Sequence, residues 1–214
     1  MKICVVLPTK NEEKGIGTTI KEIKKLGYDI FVVDGNSTDK TAQIAKSLKV
    51  PVYLQKGKGK ADGVMLAQNI AKKKGYDVIV LLDADGTYPP KYIPQLLKYM
   101  PQYDLVMGIR NFKNVPFIHR IGNLVHTWAI NILFFKFFRD INTGMRAYNL
   151  KKLEIKNSKR FEVEAELTCK AAKKGLKIKE VMIDYKERLG ESKIRLSDGW
   201  LILKRIIAER FTSS

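Results

Sequence analysis

Short apolar runs alternate with segments of helical spacing through the first half of the chain, and this alternation constrains the fold more than any other feature. The apolar runs are 3–7, 30–33, 52–54 and 78–82. The segments of helical spacing are 12–26, 38–48 and 61–74. Short, wholly apolar runs are typical of parallel strands that are covered on both faces. Because strands that alternate with helices form right-handed βαβ units, the sequence predicts an α/β fold with a Rossmann-like, mostly parallel sheet and helices on both faces.

The second half of the chain is less regular. Its patterns predict strands at 105–108 and 178–185, and helices at 117–138, 163–174 and 197–211. A chain of 214 residues fits one domain. We therefore expect residues 1–214 to form a single domain, with an amphipathic interface helix at about 115–139 and a C-terminal helix at about 197–211.

The charge of the chain favours an anionic partner. There are 40 Lys and Arg residues against 22 Asp and Glu residues, a formal net charge of +18. A field of this sign attracts nucleic acid, a phosphorylated substrate or an acidic membrane surface.

Two cysteines provide no disulfide framework, which is typical of a reducing compartment. The run 1–7 is too short for a signal peptide, and the apolar window 124–138 is interrupted by polar residues. We therefore expect a cytoplasmic protein that is not integral to a membrane.

Polar residues follow three of the predicted strands at the point where each strand ends. They are 8–12 (PTKNE), 34–39 (DGNSTD) and 83–85 (DAD). Ligands bind at the carboxyl ends of the strands in open α/β sheets. We therefore expect the three polar segments to meet in one cleft.

Asp83 and Asp85 are the most specific of these residues. Two carboxylates two residues apart, just after a buried strand, can share a hard divalent cation with phosphate oxygens. Without an ion they would repel each other and lose hydration. A solvated turn or a helix N-cap is the alternative interpretation.

Three further segments carry candidate binding residues. Asp34 is a candidate for hydrogen bonds to a nucleotide base or ribose, although Asp34 and Asp39 also fit a plain loop with an N-cap. The segment 57–60 (GKGK) resembles a phosphate cradle but lacks the Walker pattern. The segment 188–193 (RLGESK) is a basic loop after a strand, and it is a candidate clamp over a diphosphate.

The stretch 105–139 contains no Asp or Glu and five basic residues, and Trp128 clusters there with Phe134, Phe135, Phe137 and Phe138. An aromatic, basic and acid-free helix suits a bilayer interface. Arg110 and Arg120 at its entrance are candidates to hold a lipid phosphate. The alternative is that this helix packs against the rest of the protein or a second subunit.

Together these residues resemble the family-2 glycosyltransferases of the GT-A fold, and more narrowly the polyprenyl-phosphate (dolichyl-phosphate) mannose and glucose synthases. In the first half, the matching motifs are P-x-x-N-E at Pro8, Asn11 and Glu12; D-x-x-S-x-D at Asp34, Ser37 and Asp39; G-K-G-x-A at Gly57–Ala61; and D-x-D at Asp83 and Asp85. In the second half they are G-x-R at Gly108 and Arg110; D-x-x-T-G-x-R at Asp140, Thr143, Gly144 and Arg146; the helix acid Glu166; and R-x-G-x-S-K at Arg188, Gly190, Ser192 and Lys193.

The resemblance implies a single GT-A catalytic domain and a set of site residues. The implied nucleotide-sugar ligands are Pro8, Asn11, Glu12, Asp34, Asp39, Lys58, Asp83, Asp85, Arg188 and Lys193. The implied catalytic residues are Asp85, Arg110, Arg120, Arg146 and Arg188, with Arg110 and Arg120 holding an acceptor phosphate. Asp83 and Asp85 would bind Mg²⁺ or Mn²⁺. Thr87 stands where the family often has a metal-binding Gln, and a hydroxyl is the poorer ligand.

The resemblance predicts inverting, metal-dependent transfer of a hexose from a GDP- or UDP-sugar to a polyprenyl phosphate, on the cytoplasmic face of a membrane. The chain is similar to the short, peripheral members of the family. A phosphate acceptor is already anionic at neutral pH and needs no general base. A transferase acting on a hydroxyl is the alternative, with Glu164 or Glu166 as base. A non-catalytic nucleic-acid binder is suggested by charge alone, and we expect no nucleic-acid partner.

Overall fold

The computed structural model describes residues 1–156, 158–191 and 196–212. The strands in these ranges are β1 (Ile3–Thr9), β2 (Asp29–Asp34), β3 (Val52–Leu54), β4 (Val78–Leu81), β5 (Leu105–Arg110), β6 (Arg146–Asn149) and β7 (Ile178–Ile183). The helices are α1 (Glu13–Lys25), α2 (Thr41–Ser47), α3 (Gly59–Lys73), α4 (Ile93–Leu97), α5 (Phe117–Phe134), α6 (Val163–Lys173) and α7 (Leu196–Phe211), and a 3₁₀ turn at Pro90–Tyr92 precedes α4.

These strands form one sheet in the order β3-β2-β1-β4-β6-β5-β7. β6 runs antiparallel to its neighbours β4 and β5, and the other strands are parallel to one another. The predicted α/β fold with a Rossmann-like, mostly parallel sheet is therefore confirmed. The parallel order brings the ends of β1, β2 and β4 to the same edge of the sheet, which is where the polar segments begin.

Helices cover both faces of the sheet because the side chains of β1 alternate between two hydrophobic clusters. Val5 and Leu7 pack on one face with α1, including Ile16. Cys4 and Val6 pack on the other face with α3 and α6. Burial of each such aliphatic side chain stabilises the fold by roughly 1.5–3 kcal/mol. The carboxyl edge of the sheet is thus held by packing from both sides.

β6 was not predicted from the sequence. Its residues, R-A-Y-N, form neither an apolar run nor a clear alternation, yet the first three are buried between β4 and β5. Arg146 pairs with Leu81 in the register of β4. The strand is defined by its position between two others, so local sequence carries little sign of it.

α5 ends earlier than predicted, at Phe134 instead of residue 138. Phe135 takes the left-handed conformation with φ of 53°, and the side chain of Asn131 bonds to both the N–H and the carbonyl of Phe138. These bonds turn the chain away from the helix axis. Across the residues that the structure describes, no helix combines the length and apolar character needed to cross a bilayer.

Candidate active site

The cleft begins where β1 and β4 separate. β4 leaves the sheet after Leu81, which is in register with Val6, while β1 continues to Thr9. Pro8 can lie in β1 because its missing N–H would face the side that β4 has vacated. The apolar run 3–7 predicted a strand that stops before this proline, but β1 continues through Pro8 to Thr9. The D-x-D segment follows the end of β4, so it lies where β1 and β4 separate.

α1 packs closely on the D-x-D segment at Gly15. A Cβ added at this glycine would lie 2.4 Å from the carbonyl oxygen of Ala84. Gly144 permits a second close approach, because a Cβ there would lie 2.0 Å from Oδ2 of Asp83. The two aspartates are thus enclosed by backbone from helix α1 and from the loop before β6.

Asp85 is paired with Arg188, which comes from the loop after β7. Nη1 of Arg188 lies 2.6 Å from Oδ2 of Asp85, and Nη2 lies 2.8 Å from Oε1 of Glu12. The N–H of Leu189 also donates to the carbonyl of Asp85 at 3.1 Å. The loop that was predicted to clamp a diphosphate therefore contacts the D-x-D segment directly. Lys193, from the same predicted loop, lies outside the described residues.

Asp83 is paired with Lys60, the first residue after Gly59 in α3. Nζ of Lys60 lies 2.6 Å from Oδ1 of Asp83 and 2.6 Å from Oε1 of Glu164. Burial raises the pKa of Asp83, but Lys60, together with Arg188 and Arg110, outweighs burial and holds the pKa below its ordinary value. The carboxyl group of Asp83 is therefore ionised at neutral pH.

The carboxylates of this cluster suit a hard divalent cation. Asp83, Asp85, Glu12 and Glu164 carry four negative charges against the two positive charges of Lys60 and Arg188, which leaves two negative charges unbalanced. In the described part of the chain, no three His, Cys, Asp or Glu side chains are placed to hold a metal together. Mg²⁺-type sites use one or two carboxylates and complete their coordination with substrate phosphates and water. The pair Asp83 and Asp85 fits that pattern.

Thr87 does not supply a third ligand in this arrangement. Its hydroxyl and its N–H both donate to Oδ1 of Asp85, at 2.5 and 3.0 Å. Thr87 therefore orients Asp85, and its hydroxyl is already engaged with that carboxylate.

Arg110 is held by Asp140 in a buried bidentate ion pair. Nε and Nη2 lie 2.7 and 2.8 Å from the two carboxylate oxygens, and Asp140 is fully buried. The guanidinium also lies over the rings of Phe112 and Tyr185. Burial lowers the pKa of Arg110, but its anionic surroundings outweigh burial and raise it above the ordinary value. Arg110 is thus a fixed cation beside the cleft, with its charge largely balanced.

Arg146 lies inside the protein, so the structure assigns it a structural role in place of the predicted contact with an acceptor. It is fully buried. Its guanidinium donates to the carbonyls of Ile141, Thr143 and Glu164 and to the hydroxyl of Thr168. These bonds join β6 to α6 and leave the side chain no route to a ligand.

Arg120 is also engaged with backbone. Nε donates to the carbonyl of Val115 at 2.7 Å, and Nη2 donates to the carbonyl of Lys113 at 3.0 Å. The side chain therefore closes the turn that precedes α5. The residue is exposed, so it lies at the surface near the start of the apolar helix and apart from the D-x-D cluster's ion pairs.

Asp34 shapes the turn after β2. Both of its carboxylate oxygens accept hydrogen bonds from Ser37, one from the N–H at 3.0 Å and one from the hydroxyl. Only 1% of the residue is exposed. The arrangement favours a role in organising the loop over a direct contact with a base or ribose.

Asp39 ties the start of α2 to the start of α1. It accepts from the N–H of Thr41 at the start of α2, and from the N–H of Glu13 at the start of α1. The N-cap position of α2 is Lys40, so Asp39 organises the loop that precedes the cap. Asn11 has φ of 51° and accepts from the N–H of Thr38, so the first two polar segments are tied to each other.

The G-K-G segment is organised by Gln55, whose amide donates to the carbonyls of Gly57 and Gly59. Lys58 is exposed at the N-cap of α3. Its neighbour Lys60 reaches the carboxylates instead. Sequence reasoning therefore identified the correct segment but missed the lysine that contacts the D-x-D motif, because no local spacing distinguishes the two.

The sheet, with its carboxylate pair at the carboxyl edge, defines a glycosyltransferase of the GT-A type. Residues 4–153 match the family model for glycosyl transferase family 2. The chain belongs to this family and is a glycosyltransferase.

Relatives and solved structures agree with this assignment. A dolichyl-phosphate hexose transferase of Haloferax volcanii is 34% identical, over 90% of this chain and 86% of that protein. An undecaprenyl-phosphate mannosyltransferase of Micrococcus luteus is 30% identical, over 91% of this chain and 88% of that protein. In structure, the chain is similar to glucosyl-3-phosphoglycerate synthase of Mycobacterium tuberculosis, with a TM-score of 0.82 at 20% identity, over 100% of this chain and 81% of that one.

Proposed function

We propose that this glycosyltransferase moves a hexose from a GDP- or UDP-sugar to a polyprenyl phosphate at a membrane surface, with inversion at the anomeric carbon and with Mg²⁺ or Mn²⁺ as cofactor. The observation that carries the proposal is the cluster in which Lys60 and Arg188 pair with Asp83 and Asp85. Relatives named for lipid phosphate acceptors support the acceptor class. A structural neighbour that holds Mn²⁺ and UDP-glucose supports the donor and metal classes.

At the donor side, the chain supplies charge and position. Asp83 and Asp85 would hold the divalent ion, which neutralises the diphosphate and stabilises the departing nucleotide. Arg188 reaches Asp85 from a separate loop, so its planar fork can turn from carboxylate to phosphate oxygens. Pro8, Asn11, Glu12 and Lys58 keep their proposed donor roles. Asp34 and Asp39 are proposed to act through the loop, and Lys193, which lies outside the described residues, remains a proposal from the sequence alone.

At the acceptor side, the arrangement favours a phosphate over a hydroxyl. Glu166 is fully buried and accepts hydrogen bonds from the N–H groups of Lys156 and Ser158, from the hydroxyl of Ser158 and from Lys170. It is not available as a base. Glu164 is ion-paired with Lys60. A phosphate monoester attacks as an anion, so no proton needs to be removed and positioning becomes the main requirement.

The residues proposed for the acceptor phosphate are Arg110 and Arg120. Arg110 is preorganised by Asp140, and Arg120 lies at the start of α5. Replacement of Arg120 by Ala is expected to raise the polyprenyl phosphate concentration needed for half-maximal rate while donor affinity stays unchanged. Arg120→Lys should rescue in part, because it keeps the charge but loses the fork.

We assign the membrane contact to the outer face of α5 and α7. The large apolar residues exposed there are Phe117, Ile118, Ile121, Leu124, Val125, Trp128, Ile132, Trp200, Ile207 and Phe211, and Phe135 and Phe137 follow α5. A patch of this kind marks an interaction surface. α5 has no acidic residue, and the acids of α7, Asp198 and Glu209, are buried. The face therefore presents apolar and basic groups, which suits an anionic lipid surface.

α5 also contributes to the core through its inner face, whereas the membrane contact is proposed for its outer face. Ile130 and Phe134 pack inward with α6 and α7. His126 donates from Nε2 to the carbonyl of Gly199 at 2.9 Å, which fixes the start of α7 beside α5. Tests of membrane binding therefore require substitutions at Trp128 or Phe137, because Phe134 and Phe138 lie in or against the core.

The proposed function is tested by incubating the protein with labelled UDP- and GDP-hexoses and short-chain polyprenyl phosphate, and measuring label that moves into an organic phase. We expect metal-dependent, EDTA-sensitive transfer with one donor. Transfer to a free sugar or to 3-phosphoglycerate in place of the lipid would favour the hydroxyl-acceptor alternative. Glu164, which shares Lys60 with Asp83, would then be the candidate base. Full activity in EDTA would refute the metal assignment.

A further inference from the structure

Lys60 forms an ion pair with Asp83, which is one of the two proposed metal ligands. Its Nζ lies 2.6 Å from both Asp83 and Glu164, and its side chain is 16% exposed. Burial lowers the pKa of Lys60, but the two carboxylates outweigh burial and raise it above the ordinary value. The ammonium group thus directly contacts Oδ1 of Asp83, an oxygen of one of the two carboxylates proposed to hold a divalent ion.

The backbone around Lys60 is fixed, whereas its side chain is long and partly exposed. Gly59 has φ of 85°, and a Cβ there would lie 2.8 Å from the carbonyl of Lys159. The N–H of Ala61 donates to the carbonyl of Arg160 at 3.0 Å. The long, flexible stem of a lysine can move its charge without movement of such an anchored backbone. Glu164 can keep the ammonium paired if the contact with Asp83 is broken.

We propose that Lys60 competes with the divalent ion for Asp83, so that the metal binds tightly only together with the donor diphosphate. This inference rests on the proposed metal site. When the ion arrives alone, it meets an ammonium on Asp83, and the two cations repel each other across a short distance. When it arrives with a diphosphate, the new negative charge offers Lys60 a second partner besides Glu164. The metal and the donor therefore assist each other's binding.

A charge-neutral double variant tests the competition. K60M/E164Q removes one positive and one negative charge, so the total charge of the site is unchanged while Asp83 loses its ammonium partner. K72M/E154Q is the matched control, because Lys72 is on the same helix and forms a salt bridge with Glu154 away from the D-x-D motif. Free Mn²⁺ is measured by electron paramagnetic resonance during titration, with and without UDP or GDP.

We expect Mn²⁺ alone to bind K60M/E164Q at least about tenfold more tightly than wild type, and the control to match wild type. With saturating nucleotide the difference should shrink, because Lys60 has already left Asp83 in wild type. Equal or weaker Mn²⁺ binding by K60M/E164Q in the absence of nucleotide would overturn the proposal.

Two further measurements keep the result interpretable. Circular dichroism and thermal melting establish that the variants fold. If K60M/E164Q does not fold, the charge-neutral variant K60Q/E164Q replaces it, with K72Q/E154Q as control, because amide side chains keep hydrogen-bonding groups at both positions. The same tenfold gain is expected, and its absence overturns the proposal. A wild-type protein that binds no Mn²⁺ even with nucleotide would instead refute the metal site itself, and with it the proposed cofactor.

Discussion

The residues proposed for the donor side of the cleft and those proposed for the acceptor side use their charges differently. On the donor side, Asp83 and Asp85 pair with Lys60 and Arg188 through single contacts from distant segments. On the acceptor side, Arg110 is bound on two atoms by a fully buried aspartate, and Arg120 and Arg146 donate to backbone carbonyls. Single, partly exposed ion pairs can exchange partners when a ligand arrives, whereas buried bidentate pairs and backbone contacts cost much more to break.

This difference indicates which residues of each side are free to bind a ligand and which ones hold the fold. Donor-side charges are available for phosphate and metal, so their loss should reduce turnover and leave the fold intact. Acceptor-side arginines are largely engaged in the fold, so their loss should reduce stability. The accessible feature of the acceptor side is the apolar face of α5 and α7. Binding there should therefore respond to loss of apolar area.

The largest effect is expected for Asp85→Asn. The substitution removes a negative charge from the proposed metal site, and loss of one major electrostatic stabiliser typically lowers kcat by at least ~100-fold. Steady-state kinetics with a saturating donor measures it, and the melting temperature should stay within a few degrees of wild type. Asp77→Asn is the matched control, since Asp77 lies just before β4 at the opposite end of the strand and accepts from the N–H of Lys2. Wild-type turnover in the Asp85 variant would place the metal elsewhere.

Arg146→Met tests the other side of the comparison. It leaves buried carbonyls of Ile141 and Thr143 without their donor, and unsatisfied buried groups cost roughly 1–3 kcal/mol each. We expect the free energy of unfolding in urea to fall by about 2–3 kcal/mol, with nucleotide affinity retained in the folded protein. Arg139→Met is an exposed control. Unchanged stability with a raised acceptor requirement would restore the acceptor role that the sequence suggested for Arg146.

The two sides also differ in how far sequence could predict them. Strands β1 to β4 were placed to within a few residues, because each is an apolar run bounded by turn signals, and parallel order then brings their polar ends together. The acceptor side, and the ion pairs that complete the donor side, depend on contacts between positions that are remote in sequence. Lys60 and Glu164 are 104 residues apart in sequence, and β6 is a strand because of its neighbours. No local spacing encodes such pairs. The family resemblance identified Asp140 and Arg146, but not that both are buried, with Asp140 bound to Arg110 and Arg146 bound to backbone carbonyls.

A smaller effect is expected when the apolar face is altered. The double variant W128E/F137E places two negative charges at exposed positions of this face, since Trp128 is 63% exposed and Phe137 is 97% exposed. Partitioning onto phosphatidylglycerol–phosphatidylcholine vesicles at low salt should fall roughly tenfold or more. An anionic surface repels each added carboxylate, and the interaction of one charge with such a surface is worth about 1 kcal/mol. W128Q/F137Q separates loss of apolar area from charge repulsion. Because both positions are exposed, unfolding of either variant, or vesicle binding equal to that of wild type, would contradict the membrane assignment.

The smallest effect concerns Asp34, and it asks whether a donor-side carboxylate acts on the ligand or on the loop. If Asp34 works by holding the turn, Asp34→Asn and Ser37→Ala both weaken the hydrogen bond from the Ser37 hydroxyl to the Asp34 carboxylate, while the backbone N–H of Ser37 is present in both variants. Each should then weaken nucleotide affinity by about 1 kcal/mol, roughly fivefold. Calorimetry with the nucleoside diphosphate measures both, and the double variant should be no weaker than either single one, because the two residues form one unit. Asp34 would instead contact the base or ribose directly if its substitution alone weakened binding while Ser37→Ala had no effect. That outcome would move Asp34 from the loop to the ligand, and it would require the turn to open when the donor binds, since the carboxylate is almost wholly buried as the structure stands.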